Sequence, residues 1–362
     1  MNKKIILVIN DFAGGNGYIA KELLENFLIS NEVTLICLSD RNNSLFHEVK
    51  KKYLIKFSEG YIQSIKSFIL IYFKTLKLVH KNKNNIYVIT FDNRSNIYTY
   101  IMKIFTNINW IATIHGLTSP FIYKNKIINK IILRKANYVI ANSKALQKKL
   151  SKNYNHENIL TISPGIKSIR LKEEKRIPRL LENKYIPVRL VHLANFYSSV
   201  KSHDQSLMVL KYLDDGGINC FLNFIGDGVL KEKHINMAKE MNIYEKVNFH
   251  GFLNDDNKYR IIVENDICLM PSRSEAFGIA SLECMSLGLP VIASNIPGQN
   301  ELIIDGYNGL LFEVNNIKEF ANKIKLLINN KSLYEKLSHG AKETARKYSI
   351  NNMISSYKNI IN

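Results

Sequence analysis

The sequence predicts an α/β protein built from two doubly wound domains with parallel sheets. Three observations carry this. The chain has 362 residues, and at 46% hydrophobic it can fill two cores rather than one. Short apolar runs alternate with amphipathic stretches along the chain, the rhythm of strand–helix–strand units. A segment with prolines at both ends and mixed charge, "PGIKSIRLKEEKRIPRLLENKYIP" at 164–187, interrupts that rhythm near the middle.

Taken in order, "MNKKIILVIN" opens with two lysines and an apolar run, Ile5–Ile9. Asn10 and Asp11 stop the run, and no small-residue cleavage site follows. It therefore reads as a first strand and not a signal peptide or a membrane span. Gly14-Gly15 marks a tight turn into a helix. Val33–Leu38, Ile86–Ile89, Trp110–Ile114 and Tyr138–Ala141 are the next strands, completing a first domain over residues 1–165. A linker over 166–187 leads to a second domain, 188–348. Its strands are Val188–Leu193, Cys220–Ile225, Val247–Phe249, Ile267–Met270 and Val291–Ala293. The weakly amphipathic residues 349–362 form a closing helix, expected to pack back on the first domain. No internal repeat of solenoid period is evident.

Cys37, Cys220, Cys268 and Cys284 lie far apart in apolar segments, without CxxC or zinc spacing. They read as buried reduced thiols of a cytosolic protein. The net charge is +19, and it is lopsided. Residues 1–170 hold 26 Lys+Arg against 9 Asp+Glu, and residues 171–362 hold 24 against 22. The basic half suggests an anionic partner. No helix-turn-helix, RNA-binding or zinc signature supports nucleic acid. Residues 65–81 place Ile65, Phe68, Ile69, Tyr72, Leu76 and Val79 at helical spacing, with Lys66, Lys74, Lys77 and Lys81 on another face. Residues 121–135 place Lys126, Lys130 and Arg134 beside four isoleucines. Such helices either lie on an anionic bilayer or pack on the core with a solvated basic face. The isoleucines are expected to have a core to cover as well.

Ligands of open parallel sheets bind beyond the carboxyl ends of the strands. The stretch "PSRSEAFGIASLECMSLGLPVIAS" at 271–294 fits that position. Pro271-Ser272 ends a buried strand, "RSEAFG" is a loop, and Ile279 to Leu287 is a helix stopped by Gly288. The helix N-terminus presents free N–H groups suited to a phosphate, and Gly278 removes a Cβ from the approach. Glu283 stands five residues past Gly278, about 7–8 Å along the axis, within reach of a ribose whose diphosphate rests on the helix end. Glu275 lies at the mouth of the loop. The plain alternative is two unrelated glutamates, one on the surface and one on a helix face.

The chain here resembles the retaining nucleotide-sugar glycosyltransferases of family four, which have the GT-B fold. The residues carrying the resemblance are Pro271-Ser272, Glu275, Phe277-Gly278 and Glu283. Gly288, Pro290 through Ser294 and Asn308 through Phe312 continue it, with "NFIGDG" at 223–228 and "VNFHGF" at 247–252 upstream. The match is strong over about residues 188–312 and thinner before. It implies two Rossmann-like domains facing a central cleft. It also implies that Glu275 contacts the transferred sugar, that the backbone at Phe277, Gly278 and Ile279 holds sugar hydroxyls and phosphate, and that Glu283 binds ribose. Lys201 matches a family lysine on the diphosphate, while Asn195 stands where the family has arginine. In the first domain the resemblance implies a donor-phosphate role for Gly15 and a cleft-facing role for His115.

No D-x-D occurs, so no carboxylate pair of the kind that holds a divalent ion on a diphosphate is present. Lys201, backbone N–H groups and the helix end would replace the metal, and no cofactor is expected. The resemblance implies a UDP- or GDP-sugar donor, retention, and Glu275, His115 and Lys201 as catalytic groups. The basic half suggests a lipid-linked glycan acceptor, such as O-antigen, capsule or lipopolysaccharide, at the inner face of the cytoplasmic membrane. Two alternatives stay open at this point. One is a GT-B enzyme on a soluble acceptor. The other is a non-catalytic basic membrane- or nucleic-acid-binding protein on a degenerate GT-B fold.

Overall fold

The protein is described here by a computed structural model covering residues 3–10, 14–29, 31–38, 54–56, 72–73, 75–77, 79, 86–116, 126–167 and 186–362. It divides into two compact units. Unit 1 is Met1–Pro164 with Asn351–Asn362, and unit 2 is Gly165–Ile350.

Unit 1 holds β1 (Lys4–Ile9), β2 (Glu32–Cys37), β3 (Leu54–Lys56), β4 (Ile86–Thr90), β5 (Asn109–Ile114), β6 (Tyr138–Ala141) and β7 (Ile159–Thr161). The sheet order is β3-β2-β1-β4-β5-β6-β7, with every pairing parallel. Parallel sheets are covered on both faces, so their strands need continuous apolar runs. Ile5 through Ile9 are accordingly all fully buried. The helices are α1 (Gly14–Phe27), α2 (Asn93–Phe105), α3 (Lys126–Arg134) and α4 (Lys144–Tyr154). Asp92 and Ser95 form a reciprocal capping box at the start of α2. Ser143 caps α4, which ends on left-handed Asn155.

Unit 2 repeats the plan. Its strands are β8 (Val188–Leu193), β9 (Cys220–Ile225), β10 (Val247–Phe249), β11 (Ile267–Met270), β12 (Val291–Ser294) and β13 (Gly309–Phe312). They run β10-β9-β8-β11-β12-β13, again all parallel. Around them lie α5 (His203–Asp215), α6 (Lys231–Glu240), α7 (Asp255–Val263), α8 (Ile279–Ser286), α9 (Gln299–Leu302), α10 (Ile317–Asn329) and α11 (Lys331–Lys347). The core of the unit runs from Val188, Leu190 and Phe224 through Leu269 and Ile292 to Phe320 and Leu337. The last helix, α12 (Ile350–Ile361), buries Met353, Ile354, Tyr357 and Ile361. Lys3 Nζ donates to Ile361 O at 2.5 Å, so the first and last described residues meet in unit 1.

Strands β6 and β8 to β11 coincide residue for residue with the sequence expectation, and β1, β2, β4, β5 and β12 differ by a residue or two at their ends. The expected parallel α/β architecture is therefore present in both units. Three strands were not anticipated: β3, β7 and β13. All three sit at sheet edges, where short strands suffice because only one neighbour has to be matched. All four cysteines are buried and free, and burial pushes the Cys220 thiol up to about 12. Most of the expected linker, residues 168–185, lies outside the described residues, as do Lys66, Lys74 and Lys81. Among the described helical residues 72, 73, 75–77 and 79, Thr75 and Val79 are buried and Lys77 is exposed.

Glycines at the carboxyl edge of the second sheet are needed for close approach. Gly226 follows β9 at φ +146, and a Cβ there would fall on the Ala194 carbonyl after β8. Gly217 also has a positive φ, +74, but a Cβ there would meet nothing within 4 Å. Gly217→Ala should therefore cost only the left-handed strain of about 1–2 kcal/mol. Gly226→Ala should cost more than about 3 kcal/mol, because backbone must move. Chemical denaturation of both variants checks the ranking, and equal losses would contradict it.

Candidate active site

β8 and β11 are neighbours, yet the chain passes from β8 outward to β9 on one side and from β11 to β12 on the other. Their following loops diverge and open a crevice at the topological switch point. The loop after β8 carries Asn195 and Lys201, and the loop after β11 carries Glu275 through Gly278. Lys201, on a short 3₁₀ turn (Ser199–Lys201), ion-pairs with Glu275 Oε2. Glu275 Oε1 also accepts from the Ala276 N–H at 3.2 Å. The structure thus joins two residues that are 74 positions apart. Asn195 is exposed on the same loop.

Arg273, which sequence reasoning passed over, ties the two loops. Its N–H donates to Val200 O at 2.8 Å. Its guanidinium forks onto Asp204 at 2.7 and 3.1 Å and reaches Ser202 Oγ at 3.0 Å and Ser199 O at 3.1 Å. Burial opposes ionisation of Asp204, but the Arg273 hydrogen bonds and charge prevail and hold its carboxyl below the usual range. The clamp fixes the loop on both sides of Lys201. This arginine does not stand in for the cation missing at Asn195, because it is engaged by Asp204. Below Lys201, His203 stacks on Phe196 at 3.7 Å and on His192 at 4.6 Å. Burial pushes His203 down to about 4 and His192 well below its ordinary value, so this packed pair stays neutral.

The loop 271–278 is anchored by its apolar side chain. Phe277 is fully buried and meets the Tyr348 ring edge-on at 5.1 Å, a contribution of about 3 kcal/mol by area. Gly278 caps α8 with φ +98, a conformation a side chain would strain. A Cβ there would also lie 2.6 Å from Gln299 Oε1. The first α8 hydrogen bond runs from Leu282 N–H to Gly278 O. Helix geometry leaves the N–H groups of Ile279, Ala280 and Ser281 without intrahelical acceptors. Gln299 Nε2 supports that turn by donating to Ser281 Oγ at 2.9 Å.

Glu283 lies one and a half turns into α8 and is 7% exposed. Its Oε1 receives Lys258 Nζ at 2.7 Å and Tyr259 OH at 3.3 Å. Both donors come from the middle of α7 and were invisible to sequence spacing. Burial raises the Glu283 carboxyl against the opposing pull of Lys258. Burial likewise opposes the charge on Lys258, but Glu283 and then Asp255 outweigh it and hold the ammonium above its usual range. The pair is one buried salt bridge, in which the carboxylate bears the larger desolvation cost.

In unit 1, a cavity of about 360 Å³ lies at the carboxyl ends of β1, β4 and β5, lined by Asn10, Asn16, Asp92, Arg94, Thr113 and His115 among others. His115 directly follows β5 at this carboxyl edge. Gly15 is exposed at the start of α1. Lys130 of α3 is half-buried and Arg134 exposed, while the Lys126 side chain lies outside the described residues. Ile127, Ile128 and Ile131 of α3 are 77%, 54% and 50% exposed. That departs from the expected core-covering role, because Asn129, Ile132 and Leu133 supply the buried face instead. No group of three or more His, Cys, Asp or Glu side chains suited to a metal occurs among the described residues.

The Lys258–Glu283 bridge gives a signed pH prediction. Lys258→Met leaves Glu283 buried without its cation, costing about 3–5 kcal/mol near neutrality. A carboxyl with a raised folded-state pKa contributes stability below its unfolded value and loses it as pH rises through the folded one. The stability deficit of Lys258→Met should therefore widen from pH 4.5 to pH 7.5 in thermal unfolding. A deficit that narrows over that window would contradict the assignment.

Two family models match the chain. "Glycosyl transferases group 1" covers residues 187–344 and "Glycosyltransferase Family 4" covers residues 13–170. An uncharacterized 41.2 kDa protein in the cps region of Klebsiella pneumoniae is 26% identical over 98% of both chains. The O-antigen biosynthesis glycosyltransferase WclY of Escherichia coli is 33% identical over 38% of this chain and 37% of its own. Anabaena HepE, solved in complex with UDP and glucose, superposes with a TM-score of 0.83 at 17% identity over 99% of both chains. The two models between them account for both units, and the chain belongs to the family-four glycosyltransferases of the GT-B fold.

Proposed function

We propose that this glycosyltransferase moves a sugar, with retention, from a nucleoside diphosphate donor (UDP or GDP) to a growing, lipid-linked surface glycan. The observation that carries this is the meeting of Lys201, Glu275 and the N-terminus of α8 at the β8/β11 switch point. Lys201 and the free N–H groups of α8 would take the diphosphate, in place of a metal ion. Glu275 would hold hydroxyls of the transferred sugar. Glu283, with Oε1 occupied by Lys258 and Tyr259, would offer its other oxygen to the ribose. Retention fits a front-face substitution. The bond from the anomeric carbon to phosphate oxygen breaks with its electron pair going to the diphosphate. The acceptor oxygen bonds to the same face, and its proton passes to the departing phosphate. The UDP complex of HepE and the WclY relationship support the donor and glycan classes.

Transfer assays with UDP- and GDP-sugars test the reading. Lys201→Met should weaken nucleoside diphosphate binding by about 1.5–3 kcal/mol, the worth of a hydrogen bond to a charged group. Glu275→Gln should leave that affinity near wild type and lower kcat by tenfold or more, about 1.4 kcal/mol or above of transition-state stabilisation. Most activity should survive excess chelator. Activity abolished by chelator and restored by Mg²⁺, or Lys201→Met binding UDP and GDP normally, would sink the proposed phosphate site.

The acceptor would be met at an anionic membrane surface. The exposed Ile127, Ile128 and Ile131 of α3 lie beside Lys130, Arg134 and Lys135, and Ile104 and Phe105 of the packed neighbour α2 are 54% and 64% exposed. No helix among the described residues is long and apolar enough to cross a membrane. Lys130, Arg134 and, where described, Lys77 would add about 1 kcal/mol each at an anionic surface, and the isoleucines would add salt-insensitive burial. Sedimentation with vesicles rich in anionic lipid should show binding that high salt reduces but does not abolish. Ile127→Asp with Ile131→Asp should lower it at every salt concentration. Equal binding to neutral vesicles, or none to either, would remove the membrane partner.

A further inference from the structure

The two oxygens of Glu283 are treated differently by the protein. Oε1 accepts from Lys258 Nζ at 2.7 Å and from Tyr259 OH at 3.3 Å. Two donors converging on one oxygen oppose rotation of the carboxylate about its last bond, a torsion that is otherwise broad. The direction of Oε2 is thereby set as well. Oε2 itself has no hydrogen-bond partner among the described residues, and it is not one of the unpartnered side-chain atoms closed off from solvent. The Glu283 side chain keeps 9% exposure, and Oε2 holds a share of it.

The donor that fixes Oε1 is itself fully engaged. An ammonium has three protons and accepts nothing. Lys258 Nζ reaches Glu283 Oε1, reaches Asp255 Oδ1 at 2.9 Å, and lies 4.7 Å from the centre of the Tyr259 ring, a cation–π distance. Its side chain is 14% exposed. Lys201 is placed otherwise: its ion-pair partner is Glu275 alone among the described residues, and its side chain is 33% exposed. Lys201 is thus available to an anion, whereas Lys258 has no proton over for one and serves to hold Glu283. A carboxylate oxygen fixed in direction accepts from a hydroxyl at one place. A site built to hydrogen-bond a hydroxyl rejects the analogue that lacks it far more strongly than an apolar pocket rejects a missing methylene.

We propose that Lys258 and Tyr259 are positioning residues that hold Glu283 by Oε1 and aim Oε2, and that this fixed oxygen makes the donor site select ribose over deoxyribose. The proposal deepens the transferase reading and rests on it for the nucleotide.

The test is calorimetry on the full chain with UDP, GDP and the 2′-deoxy and 3′-deoxy analogues of whichever binds tighter. Wild type should prefer the ribonucleotide over at least one analogue by about tenfold or more, the worth of one hydrogen bond to a charged group. Lys258→Met should weaken the ribonucleotide, leave that analogue nearly unchanged, and bring the ratio to about threefold or less. Tyr259→Phe, which keeps the ring over Lys258, should lower the ratio by roughly two- to fivefold. Structural damage alone would weaken ribonucleotide and analogue together and leave the ratio as in wild type. A wild-type protein that binds both analogues as well as the ribonucleotide overturns the proposal. So does an unchanged ratio in Lys258→Met or, should that variant not fold, in Tyr259→Phe. Both results leave the transferase reading standing, because Lys201 and the α8 N-terminus are intact. Failure of wild type to bind either diphosphate sinks that reading and this proposal with it.

Discussion

Neighbouring parallel strands that send their chains in opposite directions cannot close the gap between their loops, and the proposed donor site depends on that gap. In unit 2 the divergence falls between β8 and β11. The loops must be long enough to carry polar groups, yet fixed well enough to hold them together. Arg273 meets that need by pinning the turn that bears Lys201. Phe277 meets it from below, burying an aromatic ring that anchors the loop. Gly226, Gly278 and Gly298 allow adjoining loops to approach where a Cβ would collide. The charges at the site are thus held by groups that do no chemistry.

Much of this was legible in the sequence, and the reasons differ by element. Buried parallel strands advertise themselves as apolar runs, which is why β8, β9 and β11 could be placed to the residue. Of the short edge strands β10 was placed as well, but β3, β7 and β13 were passed over, since three or four residues carry little pattern. Glu275, Gly278 and Glu283 were readable because one loop and one helix hold all three at fixed local spacing. Lys258 and Arg273 were not, because each acts through a partner on another element: Glu283 on α8 and Asp204 on α5. Only tertiary packing brings such pairs together, and no spacing rule encodes it. The isoleucines of α3 show the opposite failure. Helical periodicity located the face correctly as apolar, but periodicity does not say whether an apolar face looks inward.

The two units use one topology for two electrostatic tasks. Around the unit 2 crevice the charges are paired: Lys201 with Glu275, Arg273 with Asp204, Lys258 with Glu283. A site of that kind is nearly neutral when empty. It presents cations to an anion only if the ligand competes for them, which favours a ligand carrying its own charge. The unit 1 cavity works differently. Its histidine is kept neutral by burial, its carboxylate is occupied by backbone N–H groups, and three asparagines line it beside one guanidinium. Such a lining discriminates by hydrogen-bond geometry.

The basic excess of the first half of the chain is therefore not explained by the cavity in unit 1, which holds one guanidinium and one carboxylate. Among the described residues, several of its cations lie on helix surfaces. In α4, Lys144, Lys148 and Lys152 are exposed, while Leu146, Leu150 and Tyr154 are buried. That is a solvated basic face over an ordinary core. In α3 the exposed face is mixed, isoleucine beside Arg134 and Lys135. A face meant only for water has no use for three exposed isoleucines, and a face meant only to pack on protein has little use for the cations. An interface that is anionic at its surface and apolar a few ångströms below satisfies both. On the proposed membrane reading the two helices would divide the charge: α4 would supply long-range attraction, and α3 would combine charge with apolar contact at short range.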